Sequence, residues 1–121
     1  MPTRTGAASA ISEPLGLADP SAASLCFNDV VAIGVIRALS ALGRVVGRDF
    51  AVIGCDDIED ARHMVPALTR VAMEGQGLGK RAAHLLMRQI ASGAIVAETQ
   101  LGPSDLLIRA SCGTPASFVA A

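Results

Sequence analysis

Tryptophan and tyrosine are absent from the 121 residues, and three phenylalanines are the whole aromatic complement. Modules that bind RNA or single-stranded DNA stack bases on aromatic platforms, so this composition disfavours them. Charge of one sign is missing too: 10 Lys and Arg nearly balance 11 Asp and Glu, for a formal net charge of −1. The basic footprint of a DNA-binding surface has no counterpart in that balance. The three cysteines, Cys26, Cys55 and Cys112, lie far apart and include no C-x-x-C pair. They suggest neither a zinc site nor a disulfide framework, and free thiols in a reducing cytosol are the expectation. No apolar run approaches the ~18 residues of a membrane span. Residues 1–20 lack the continuous apolar core of a secretory signal. The expectation is a cytoplasmic chain that does not enter a membrane.

What is present is core material: 51% of the residues are hydrophobic and 17% charged. That suits one small domain or part of a larger one. Residues 1–20, rich in Ala, Ser, Pro and Gly, are expected to form a loose arm. Ser24–Phe27 reads as a short strand, with Asn28 and Asp29 after it as helix-start residues. The helix Asp29–Leu42 is closed by Gly43. Between Val30 and Leu42 only Gly34, Arg37 and Ser40 are not apolar. A helix apolar on nearly all sides needs cover on nearly all sides; a sheet would cover one face and a second subunit the other. Arg44–Arg48 reads as a turn, and Asp49–Ile53 as a second strand that stops at Gly54. Strand, helix, strand is the order of a parallel crossover unit. Ile58–Met64 suits one or two helical turns ended by Pro66, and Leu68–Met73 a short extended piece. Glu74–Ala91 reads as a second long helix, with Leu78, Ala82, Leu85, Leu86 and Ile90 apolar and Lys80, His84 and Arg88 four apart on a polar stripe. Gly93 ends it. Ile95–Leu101 and Leu106–Ile108 read as extended, and Gly113–Ala121 has no pattern.

The chemistry concentrates where the apolar run Phe50–Ile53 breaks into Gly54, Asp56 and Asp57. In α/β sheets, ligands sit just outside the carboxyl ends of parallel strands. Asn28 holds the equivalent place after the first strand. If the two strands are parallel neighbours, Asn28 and Asp56 reach the same rim. An amide beside a carboxylate suits a polyhydroxyl ligand. With no nucleophile or base placed beside them, the two do not form a catalytic pair. The same acids would also serve to cap a following helical turn. Asp56 and Asp57 together have the oxygen donors for Mg²⁺, which would point to phosphoryl-transfer or phosphatase chemistry. That reading needs a phosphate-binding loop, and Gly75-Gln-Gly-Leu-Gly-Lys80 matches neither glycine-rich fingerprint. His63 and His84 have no metal-ligand spacing, and Lys80, Arg81 and Arg88 read as a solvated helix face. No metal and no cofactor are expected.

Four blocks carry a family resemblance: FNDVVAIGVIRAL, RDFAVIGCDDIEDARHMVPALT, LGKRAAHLL and LLIRASCG. In order and spacing they resemble the effector-binding domain of LacI/GalR-type bacterial transcriptional regulators, over about Ala22 to Gly113. The resemblance implies an α/β fold: part of a type I periplasmic-binding-protein-like domain, with a mostly parallel sheet flanked by helices. It implies residues 21–115 as the C-terminal portion of that domain, with 116–121 as a tail. It implies a small-molecule effector, a sugar or related metabolite, contacted by Asn28 and Asp56, with Asp29 structural. It also implies a homodimer packed through Val31, Val35, Arg62, His63, Met64 and Val65. Operator DNA would be reached only through a helix-turn-helix that these residues do not include, and the chain would be a fragment lacking one lobe of the cleft.

The chain departs from the family pattern at four points. Cys55 stands where an aromatic is common, and Gly75 where a residue often closes over the ligand. Ala67 replaces the second Pro of a usual pair, and Arg70 replaces a usual Thr. Two further readings remain: a fragment of a sugar-uptake binding protein of the same fold, and a bare dimerisation module.

Overall fold

A computed structural model describes residues 3–56, 58–95 and 97–113. Its elements run α1 (Arg4–Ala10), α2 (Ser12–Leu15), β1 (Ala23–Leu25), α3 (Asp29–Ala41), β2 (Ala51–Cys55), α4 (Asp60–His63), β3 (Thr69–Met73), α5 (Gly75–Ser92) and β4 (Ser104–Leu107), then a 3-10 turn at Ala110–Cys112. The sheet is ordered β1-β2-β3-β4. β1 runs parallel to β2 with Leu25 opposite Ile53, and β2 parallel to β3 with Cys55 opposite Val71. The chain divides into two compact units, Met1–Ala72 with Leu106–Ala121, and Met73–Asp105.

The first unit holds the core. Ala32, Leu39, Val52, Ala61 and Leu68 are wholly buried, with Phe50 beside them. Full burial of each large aliphatic side chain contributes about 1.5–3 kcal/mol. α3 starts at a true cap: Asn28 is extended and its side chain accepts from Val31 N–H. It ends at Gly43, whose φ of 71° lets Arg44 N–H reach Leu39 O at 2.9 Å and Gly43 N–H reach Ser40 O at 3.0 Å. Those two bonds satisfy carbonyls that a helix end otherwise leaves open.

Where a loose arm was expected over residues 1–20, Arg4–Ala10 and Ser12–Leu15 are helical. Thr3 caps α1 by accepting from Gly6 N–H, and Ala7 and Ile11 are buried in the core. α1 lies across α3, so the second face of the apolar helix is covered within the chain, where a second subunit was expected. The crossing depends on Gly34: a Cβ there would lie 2.8 Å from Arg4 Cα and 2.9 Å from Arg4 C. The small-residue composition that reads as a flexible segment is here what lets two helices approach closely.

Other boundaries shift. β2 does not stop at Gly54 but runs through it to Cys55. Gly54 keeps that stretch open, since a Cβ there would meet the Asp29 carboxylate and, at 2.9 Å, Leu68 Cδ2. Among the described residues of Ile95–Leu101 no strand forms; the last strand is Ser104–Leu107. The tail beyond Gly113 lies outside the described residues.

In the second unit, α5 buries none of its residues. Leu78, Leu86, Met87 and Ile90 are exposed along it, and Ile95 and Leu101 beyond it. Its ion pairs are local, Arg88 with Glu98 and Arg81 with Glu74. Gly93, with φ 65°, closes the helix in the left-handed region.

Candidate functional site

The site grows from the parallel register. Leu25 and Ile53 are partners, and Asn28 and Asp56 each stand three residues beyond them. Both therefore come off the carboxyl ends of adjacent strands, at one edge of the sheet, the place where α/β sheets receive ligands. Asn28 is half-buried and Asp56 exposed. The Asn28 Oδ1 is occupied by the Val31 N–H at 2.9 Å, so its amide NH₂ is what remains to face a ligand. Asp56 offers only acceptors when ionised. Its backbone has φ 110°, a region costing a non-glycine residue on the order of 1–3 kcal/mol and concentrated at functional sites. Asp56 N–H ties the turn to β3 through Val71 O at 3.2 Å.

Beneath this rim lies a buried ionic layer. Asp29 and Arg70 are 0% and 1% exposed. Asp29 Oδ2 accepts from Ile58 N–H at 3.0 Å, while Arg70 Nη1 donates to Ile58 O at 3.1 Å. Burial pushes the Asp29 carboxyl above its ordinary range; the Ile58 hydrogen bond and the charges of Arg70 and Arg109 oppose that, and Asp56 adds to it. Burial and the neighbouring Arg109 pull Arg70 down, and Asp29 raises it.

The Arg109-x-Ser111 block closes the other end of the sheet. Ser111 Oγ accepts from Thr69 N–H at 2.8 Å and donates to Val52 O at 2.6 Å, joining β2 to β3. Arg109 donates through its guanidinium to Leu68 O at 3.0 Å and through its backbone N–H to Thr69 Oγ1 at 2.8 Å. This motif ties β2 to β3.

Two features of the site escape sequence reasoning. Phe27, immediately before Asn28, is 77% exposed, an aromatic surface at a rim whose sequence reads as lacking one. The Ile58 clamp has no sequence signal, because arginines are seldom fully buried. Of the residues expected at a dimer contact, Arg62, His63 and Val65 are exposed. Val35 is not available: it is 4% exposed and packed in the chain's own core. Val31 and Met64 are half-buried against that core. Among the described residues no three His, Cys, Asp or Glu side chains cluster as a metal site. Asp57, the other half of the candidate Mg²⁺ pair, lies outside the described residues. No helix among the described residues is long and apolar enough to cross a membrane.

Residues 2–112 match the family model described as a periplasmic binding protein-like domain. The chain is 38% identical over 97 residues to the HTH-type transcriptional repressor PurR of Mannheimia succiniciproducens, covering 80% of this chain and 29% of that protein. It is 36% identical over 93 residues to the lactose operon repressor of Escherichia coli, covering 77% and 26%. Its fold matches a putative LacI transcriptional regulator from Bacillus cereus subsp. cytotoxis with a TM-score of 0.83 and 28% identity, over 91% of this chain and 39% of that one. It matches a LacI-family regulator from Enterococcus faecalis, solved with bound ribose, with a TM-score of 0.76 and 31% identity, over 91% and 40%. The chain thus belongs to the periplasmic binding protein-like domain family. Within that class it is of the LacI type, and it corresponds to part of the effector-binding domain of such regulators. It spans between a fifth and a third of the length of the curated relatives it matches.

Proposed function

We propose that this chain forms one wall of an effector site in a LacI-type transcriptional regulator, and that the effector is a sugar or related polyhydroxyl metabolite. The observation that carries the reading is the register-matched pair at the rim, Asn28 offering donors and Asp56 acceptors. A hydroxyl both donates and accepts, so a polyol satisfies both groups, and exposed Phe27 adds an apolar face for a ring. The bound ribose of the Enterococcus faecalis relative supports the ligand class. Effector binding alters operator affinity only by preferring one arrangement of the whole regulator. Operator contact belongs to a helix-turn-helix outside these residues, and exposed Arg62, His63 and Val65 supply the contact of a homodimer. The proposed setting is the cytoplasm, where a transcriptional repressor meets DNA. Asn28 and Asp56 bind and hold; no step of catalysis is assigned to them.

The test is a titration with ribose and with lactose, followed by amide resonances and by calorimetry. Binding is expected to shift the resonances of Asn28 and the Cys55–Ile58 turn. Removing a hydrogen bond to a charged group costs about 1.5–3 kcal/mol, so Asp56→Ala should weaken binding by roughly 10- to 150-fold. A sugar that bound equally well to Asn28→Ala and Asp56→Ala would overturn the assignment.

A further inference from the structure

Besides the tie of Asp56 N–H to Val71 O, the segment after Asp56 is gripped at Ile58. Its N–H is taken by Asp29 Oδ2 at 3.0 Å and its carbonyl by Arg70 Nη1 at 3.1 Å. Both side chains are essentially inaccessible to solvent. They reach Ile58 from different elements, Asp29 from the first position of α3 and Arg70 from β3, where it sits opposite Gly54 of β2. The absent side chain at Gly54 makes room for the Asp29 carboxylate. Asp29 is also the neighbour of Asn28. The same carboxylate that holds the Asp56 turn is therefore covalently next to the other rim residue.

We propose that Asp29 and Arg70 are a positioning pair: they grip both polar groups of Ile58 and so fix the Asp56 carboxylate relative to the Asn28 amide. This rests on the effector reading for its purpose, though not for its geometry. A residue whose N–H is held by an anion and whose C=O is held by a cation, one on each of the two peptide units that meet at its Cα, has little freedom to rotate, because rotation breaks two charge-assisted hydrogen bonds. The turn it anchors carries a positive φ at Asp56, and such a backbone persists only where its surroundings over-determine it. Ligand recognition with the reacting groups pre-placed avoids an ordering cost at the moment of binding. Among the described residues, the charged groups acting on the Asp29 carboxylate include Arg70, Arg109 and Asp56.

The experiment uses the full chain and has two readouts. In the unmodified protein, the Ile58 amide resonance should shift with pH as one carboxyl titrates. That inflection should persist in Asp56→Asn and vanish in Asp29→Asn. The inflection itself is read in the unmodified protein and requires no ligand. In Arg70→Met, hydrogen exchange at Ile58 should accelerate at least ~10-fold more than at Val52 in the core, with Arg70→Lys restoring part of the protection through its ammonium donor. Ribose affinity should fall in Arg70→Met and partly recover in Arg70→Lys. An Ile58 resonance indifferent to pH, or an inflection surviving in Asp29→Asn, overturns the proposal. So does equal acceleration at Ile58 and Val52. If Ile58 behaves as described while neither ribose nor lactose binds, the clamp stands and the effector assignment fails. Ribose binding with an unaltered Ile58 in Arg70→Met gives the converse.

Discussion

The crossing of α1 over α3 makes a prediction whose sign is decided by competing terms. Gly34→Ala replaces the poorest common helix former with the best, a gain of about 1 kcal/mol in a helix interior. Against it stands the new methyl group, 2.8 Å from Arg4 Cα and 2.9 Å from Arg4 C. Carbon atoms rest comfortably at about 3.5–4.0 Å, so α1 must retreat by roughly 1 Å, and the obstacle is backbone, which cannot swing aside. Overpacking of this kind costs about 1–3 kcal/mol. Retreat also loosens Ile11, 4% exposed, whose burial contributes about 1.5–3 kcal/mol. The net expectation is destabilisation of about 1–2 kcal/mol, since α1 lifts and does not detach. Urea unfolding followed by far-UV circular dichroism measures it, as a lower midpoint with an unchanged slope. Gly79→Ala is the control: it is also helical, but nothing lies within 4 Å of its added Cβ, so it should raise helicity. If Gly34→Ala stabilised the protein by about 1 kcal/mol, propensity alone would be operating and α1 would not lie on α3.

Ser111→Ala strands the buried Thr69 N–H and Val52 carbonyl that its hydroxyl joins; at about 1–3 kcal/mol for each orphan, a loss of about 2–6 kcal/mol is expected in the same unfolding assay. Asp49 is held down to a pKa of about 2 by Arg48 and the Val45 N–H, so its ionised form stabilises the fold above the ordinary value of 3.8. That contribution is lost as pH falls through about 2, and the stability gap to Asp49→Asn should be constant near neutrality and close across that acid window. Leu86→Glu on the exposed face of α5 should reduce binding of a hydrophobic dye and leave the unfolding midpoint of the sheet unit unchanged; a fall in that midpoint would mean the residue is buried in solution.

Much of this architecture was legible because the signals were local. Asn28-Asp29 before an apolar run marked the start of α3 at the residue where it begins, and Gly43 marked its end. The apolar run into Gly-Cys-Asp located β2 within two residues. The parallel pairing that sets Asn28 level with Asp56 followed from strand-helix-strand order. What stayed illegible was non-local. Residues 3–15 carry small and polar side chains, so no strong stripe announces a helix; α1 is stable because Gly34, thirty residues on, admits its backbone. Val35, which the family resemblance implies at a subunit contact, is 4% exposed and packed in the same core as Ala7 and Ile11. Arg70 occupies a strand position where a buried charge is improbable from composition, and only the fold reveals that the Ile58 carbonyl receives it with the Asp29 charge in electrostatic reach.

The cap at Asn28 has a consequence for stereochemistry. Because Val31 N–H engages its oxygen, the side chain cannot flip its amide without losing the helix start. The rim therefore has a fixed sense of hydrogen bonding: donors beyond β1 and acceptors beyond β2, which are adjacent strands. A sugar seated there must present an oxygen to one side and a hydroxyl proton to the other. Methylating a hydroxyl keeps the oxygen as an acceptor but removes the proton. On the proposed effector reading, a ring methylated on the Asn28 side is expected to be read still and its regioisomer methylated on the Asp56 side is not, which would make the rim a directional gauge for one pair of sugar positions.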